Sequence, residues 1–189
     1  MAEAGLSGSA QAELLRIARA VVEAAAKGLP APDCRPDGLP ELEEHLGAFV
    51  TLNERGQLRG CIGRFLPDEP VWRVVAAMAR SAAMEDPRFQ PVGEGELKDI
   101  DIEISVLSPL RKTEDPLSLE LGVHGIYIRR GGRSGTFLPQ VATEHNMSKE
   151  KFLSTCCAHK AGLPPDAWKD PTTEVYLYTA QVFGEEKRE

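Results

Sequence analysis

The chain has 189 residues, 42% hydrophobic and 27% charged, which suits a soluble globular protein with a substantial core, built as one domain or as two small lobes sharing an interface. Its formal net charge of -7 argues against nonspecific attraction to nucleic acid unless basic residues cluster. No apolar run is long enough to cross a bilayer, Met1-Ala2-Glu3 does not begin a secretory leader, and the four cysteines show no paired spacing, which places the chain in a reducing cytoplasm with free thiols.

Ser9 is predicted to cap a first helix whose apolar residues Leu14, Ile17, Ala18, Val21, Val22 and Ala25 recur at helical spacing, with Gly28 just past its end. From Leu29 to Pro40 the punctuation by Pro30, Pro32, Pro36, Gly38 and Pro40 forbids regular structure. Residues 29–40 are therefore the linker candidate, and Cys34 within them is expected to be exposed and without a role.

Ala48-Phe49-Val50-Thr51-Leu52 and Leu58-Arg59-Gly60-Cys61-Ile62-Gly63 are two β-prone runs joined by a polar, glycine-containing turn, and they read as a hairpin. Strand alternation puts Leu58, Gly60 and Ile62 on one face and Arg59, Cys61 and Gly63 on the other. A guanidinium on the face of a thiol favours the thiolate and lowers the thiol pKa from its free value of about 8.5. Gly60 and Gly63 leave room beside the cysteine for a ligand or another backbone. The competing reading is a small buried strand cysteine, because cysteine ranks among the residues most often found inside.

Pro67-Asp68-Glu69-Pro70 opens a second helix with the apolar stripe Val71, Val74, Val75, Met78, Ala79 and Ala82, and Asp86-Pro87-Arg88-Phe89 stops it. Asp86 and Arg88 can pair with each other or cap that helix, or Arg88 can bridge two lobes. Ile100 to Leu107 alternates as a half-buried strand, with Asp101, Glu103 and Ser105 on its polar face. A second hairpin runs through Gly125 to Arg130 and Gly135 to Leu138, and the arginines around its tip, Arg129, Arg130 and Arg133, form the one basic cluster.

Ser148 can cap a helix that carries Phe152, Leu153 and Cys156 and ends near Gly162. Cys156 and Cys157, if helical, point about 100° apart, a poor start for chelation. Glu174 to Phe183 reads as one last strand, followed by a charged tail expected to fray. Helices interspersed with hairpins make the class α+β with mainly antiparallel sheets.

These stretches together resemble the AMMECR-type domain family, known in prokaryotes as AmmeMemoRadiSam system protein A. The matching segments are Gly47-Ala48-Phe49-Val50-Thr51-Leu52, the hexapeptide Leu58-Arg59-Gly60-Cys61-Ile62-Gly63, Asp86-Pro87-Arg88-Phe89, Glu103-Ile104-Ser105-Val106-Leu107-Ser108-Pro109, His124-Gly125, Phe137-Leu138-Pro139-Gln140-Val141 and Lys160-Ala161-Gly162-Leu163. The resemblance implies a single domain of two unequal α/β lobes, with a cleft between them that the hexapeptide approaches. It also implies two partners, a Memo-type protein and a radical S-adenosylmethionine enzyme. It supplies no assigned activity and no cofactor.

Cys61 is then the candidate nucleophile and Arg59 its activating charge or the anchor for an anionic substrate. Glu103 is a candidate general base or a partner for Arg59; paired with Arg59, it would weaken activation of the thiol. His124 is a second candidate base, against a structural role in a turn. Gln140 and Lys160, with Gly60 and Gly63, are candidates for substrate binding; a loop-closing amide and a helix-dipole charge are the plainer roles of the first two. Cys61, His124, His145, His159 and Glu103 stand at no recognisable ligand spacing, so no metal is assigned. An enzyme or substrate-holding subunit working on a small anionic substrate is one reading. A docking module without chemistry, serving RNA or small-molecule modification by its partners, is the other.

Overall fold

The computed structural model describes residues 5–185, and the chain divides into two compact units, Met1–Leu107 with Gln181–Glu189, and Ser108–Ala180. The proline-rich 29–40 segment lies wholly inside the first unit and does not separate the two. It is irregular as expected, but Cys34 is only 5% exposed and joins the first core, which corrects the linker reading and the expected exposure of this thiol. Prolines prevent helix and strand, but not the burial of a small apolar side chain between them.

The first unit carries α1 (Gly8–Ala26), β1 (Ala48–Glu54), β2 (Gln57–Arg64), α2 (Val71–Met84), β3 (Ile100–Leu107) and all but the first residue of β8 (Ala180–Gly184). Its sheet has the order β2-β1-β3-β8, with β1 antiparallel to both β2 and β3. Ala48, Val50 and Leu52 alternate inward and pack, with Ile102, Ile104 and Val106, against the stripes of α1 and α2. Each large side chain fully buried in this way contributes about 1.5–3 kcal/mol. Helix α1 begins earlier than expected: Ser7, not Ser9, is the cap, accepting from the Ala10 amide at 3.2 Å. Ala10 already lies on the buried stripe, so apolar packing extends the helix by half a turn toward Ser7.

The second unit carries β4 (Arg111–Thr113), β5 (Gly125–Arg130), β6 (Arg133–Phe137), α3 (Pro139–Glu144), α4 (Lys149–His159) and β7 (Glu174–Tyr178). Its sheet runs β4-β7-β5-β6, antiparallel throughout. Ile126, Ile128, Val175 and Leu177 meet Phe152, Leu153, Cys156 and Cys157 in a separate core. Ser148 caps α4 as expected, accepting from the Lys151 amide.

The final run is not one strand but two. Glu174–Tyr178 belongs to the second sheet and Ala180–Gly184 to the first, with Thr179 between them. The aliphatic positions change phase at Thr179, from Val175 and Leu177 to Ala180 and Val182, where the hydrogen-bonding partner also changes. The tail expected to fray lies mostly outside the described residues, as do Met1, Ala2 and Glu3. Glu185, its first charged residue, is instead fixed: it pairs with the buried Arg19 of α1 and accepts from the Ile102 amide at 3.1 Å.

Candidate functional site

The hairpin forms where expected, but with one irregularity that reorganises its chemistry. Leu52 pairs with Gly60 and Asn53 with Leu58, so Arg59 is the extra residue of a bulge. Beyond the bulge the alternation is regular. Gly60 faces α2 so closely that an added Cβ would overlap the Ala82 carbonyl oxygen, while Gly63 lies beneath the Phe49 ring. Both glycines are accounted for by close packing.

On the sheet face away from α2, which Gly63 shares, Cys61, Thr51 and Glu103 form one cross-strand row, since Thr51 pairs with Cys61 on one side and Glu103 on the other. The Thr51 hydroxyl donates to Cys61 Sγ at 3.3 Å. Cys61 is half-buried, whereas Cys34, Cys156 and Cys157 are buried. Burial pushes the pKa of all three of those thiols up, that of Cys156 to about 12.

The hydrogen bonds of Arg59 go to groups other than Cys61. Its Nε donates to Glu96 Oε1 at 2.7 Å and its Nη2 to Oε2 at 3.2 Å, while Nη1 reaches the Gln90 carbonyl at 2.9 Å. The guanidinium holds the Glu96 carboxyl below its ordinary pKa, and it stands 5.9 Å from the centroid of Phe89. The bulge takes Arg59 out of the strand phase, and a carboxylate 37 residues on, Glu96 and not Glu103, becomes its partner. Among the described residues, Glu103 has no ion-pair partner.

The guanidinium that does reach Cys61 belongs to Arg88. Strand β2 lies at the edge of its sheet, so at Cys61 one backbone amide and one carbonyl point away from β1. The amide donates to Asp86 Oδ2 at 2.9 Å, and the carbonyl accepts from Arg88 Nη2 at 3.2 Å. Asp86 also receives Arg88 Nε at 2.9 Å and Nη2 at 2.7 Å. The two side chains thus stand in for a neighbouring strand at one residue. Asp86 is 4% exposed, and hydrogen bonds from Arg88, then from the Cys61 amide, hold its carboxyl well below the usual carboxylate range despite burial. The sequence marks Asp86 and Arg88 as a helix stop and as residues able to pair, but nothing in it ties them to Cys61. Thr51 and Glu96 carry no signal of their own, although Thr51 follows once the hairpin register is known.

His124, Gln140 and Lys160 belong to the second unit. His124 Nδ1 accepts from the Glu120 amide at 2.9 Å, closing the turn before β5. Gln140 lies in the first turn of α3, and its carbonyl accepts from Thr143 Oγ1 at 2.8 Å. Lys160 caps the C-terminus of α4, with Nζ 5.8 Å from the Phe137 centroid. The basic hairpin tip is engaged locally: Arg129 pairs with Glu174, Arg130 with Asp170, and Arg133 donates to the Gly162 carbonyl. Among the described residues no group of three or more His, Cys, Asp or Glu is close enough to hold a metal ion, and no helix is long and apolar enough to cross a membrane.

The solved crystal structure of an uncharacterized protein from Pyrococcus horikoshii is similar with a TM-score of 0.81 and 39% identity, covering 92% of this chain and 90% of that one. A protein of Methanothermobacter thermautotrophicus is 44% identical over 181 residues, 92% of this chain and 93% of its own length. One of Nanoarchaeum equitans is 43% identical over 181 residues, 92% of this chain and 99% of its own. The AMMECR1 family model matches residues 15–183, a span that contains every residue of the Cys61 row and of the Asp86–Arg88 clamp, and on that match the chain belongs to the AMMECR1 family.

Proposed function

We propose that the protein is an enzyme, or the substrate-holding subunit of one, in which Cys61 attacks or carries a small electrophilic anionic group. The observation that carries this reading is the hydroxyl of Thr51 on the sulfur at 3.3 Å, at the one thiol of the four that is not buried. A donor aimed at sulfur stabilises thiolate over thiol. In the step this supports, sulfur bonds to the electrophilic carbon as the bond to the leaving group breaks, and the leaving group departs with the electron pair. Glu103 stands in the same row on the far side of Thr51, which supports it as the base that takes the thiol proton by way of the Thr51 hydroxyl or a water rather than by direct contact. Partnership with a Memo-type protein and a radical S-adenosylmethionine enzyme is supported by the family resemblance, and a reducing cytoplasm by four free cysteines.

The test is the rate of iodoacetamide alkylation at each cysteine of the folded protein, read by peptide mass spectrometry. Cys61 is expected to react at least about tenfold faster than Cys34, Cys156 and Cys157, whose modification must await local opening. A rate at Cys61 no greater than at the buried thiols overturns the reading.

A docking module without chemistry has one observation in its favour: every bond that Arg59 makes is to its own unit, as in a purely structural motif. Under that reading Cys61→Ser leaves partner binding and cellular phenotype intact, whereas charge reversal at Glu103 breaks the complex.

A further inference from the structure

We infer that Arg88, and not the Arg59 of the hexapeptide, is the residue that selects an anionic substrate at Cys61, by donating from Nη1 to one oxygen of a carboxylate or phosphate. The inference rests on the thiol reading above and names the substrate-selecting group of that site.

A guanidinium has five N–H donors in a fixed plane. Those of Arg59 are almost all engaged, on Glu96, the Gln90 carbonyl and the Pro91 carbonyl, and its side chain is 13% exposed. Arg88 differs in both respects. Its Nε and Nη2 are fixed by Asp86 and by the Cys61 carbonyl, its side chain is 54% exposed, and both Nη1 donors are without a partner among the described residues. The plane is held on one edge by a buried carboxylate and presented to solvent on the other, beside the backbone of the reactive residue. A charge-assisted hydrogen bond gains most where its donor is already oriented in this way, because little freedom is left to lose on binding.

The charges agree with this geometry. Asp86 offsets the charge of Arg88, so attraction comes from directed N–H groups rather than a long-range field, as expected of a chain with net charge -7. The pKa of Arg88 is raised, first by its hydrogen bonds to Asp86, so the guanidinium keeps its charge where its Nη2 meets the Cys61 carbonyl at 3.2 Å. The Phe89 ring, 5.5 Å from the Arg88 carbon, supports the plane from the side.

Two alkylating agents of the same shape test this, neutral iodoacetamide and anionic iodoacetate, with glutathione as a thiol lacking the site. The ratio of iodoacetate to iodoacetamide rates at Cys61 is expected to exceed that of glutathione by about fivefold in the wild-type protein. In Arg88→Gln the ratio falls to the glutathione value, the iodoacetamide rate of the same variant serving as the reference that cancels any change in the thiol itself. Arg88→Lys, which keeps the charge but not the fork on Asp86, is expected to lie between. A wild-type ratio equal to that of glutathione overturns the inference without any variant having to fold. So does an equal fall of the ratio in Arg59→Gln. A slow iodoacetamide reaction at Cys61 overturns the thiol reading itself, so the two failures are told apart by which reagent fails.

Discussion

Asp86 and Cys61 are joined across the open edge of the first sheet, the Cys61 amide donating to the buried Asp86 carboxylate at 2.9 Å. Removing the charge leaves the amide and the Arg88 fork poorly satisfied, so Asp86→Asn is expected to destabilise the protein by about 2–3 kcal/mol, read as a shift in the denaturant midpoint. Because the folded carboxyl lies below its unfolded value, Asp86 contributes stability fully above about pH 4, and that stability is lost as pH falls from there through the folded value. The wild type should therefore lose its advantage over Asp86→Asn on acidification, and a constant difference between pH 7 and pH 3 would contradict the assignment.

Thr51→Val keeps the shape and β-branching of the side chain and removes only the donor on sulfur. Stability should change by less than about 0.5 kcal/mol, while alkylation at Cys61 slows about threefold at neutral pH. An unchanged rate would show that the hydroxyl does not influence the sulfur.

The two motif glycines should respond differently to alanine. At Gly60 the added methyl meets backbone, the Ala82 carbonyl, which cannot move without displacing α2, and the cost is expected to be about 3 kcal/mol. At Gly63 it meets the root of the Phe49 ring, which turning the ring does not move, so the single variant should cost about 2–3 kcal/mol, but unlike the Gly60 cost this should be largely recovered in Phe49→Ala with Gly63→Ala. Thermal melts of the three variants read the difference.

His124 accepts the Glu120 amide through Nδ1, so in the neutral ring the proton sits on Nε2 and the accepting lone pair is already engaged. His124→Ala is expected to cost about 1 kcal/mol of stability and to leave the pH profile of Cys61 alkylation where it was. A shifted profile would instead identify His124 as the base.

Helix stripes, the long alternating strand and the hexapeptide hairpin were legible because each depends on spacing within a single element. Apolar residues at helical or strand period must find a core, so α1, α2 and β3 follow from local pattern alone. Family membership was legible for the same reason, since short motifs in order survive without coordinates. What spacing cannot carry is a partner distant in the chain. Arg59 turns from Cys61 because a bulge shifts its phase and Glu96, on the short 3-10 helix that leads into β3, receives its guanidinium. Cys34 is buried because the irregular segment around it packs on the core, and the last run divides because its two halves bond to different sheets. Composition and periodicity determined which elements form. Only tertiary structure decided which guanidinium bonds the backbone of Cys61, because that depends on the free edge of β2 and on a buried carboxylate 25 residues further along the chain.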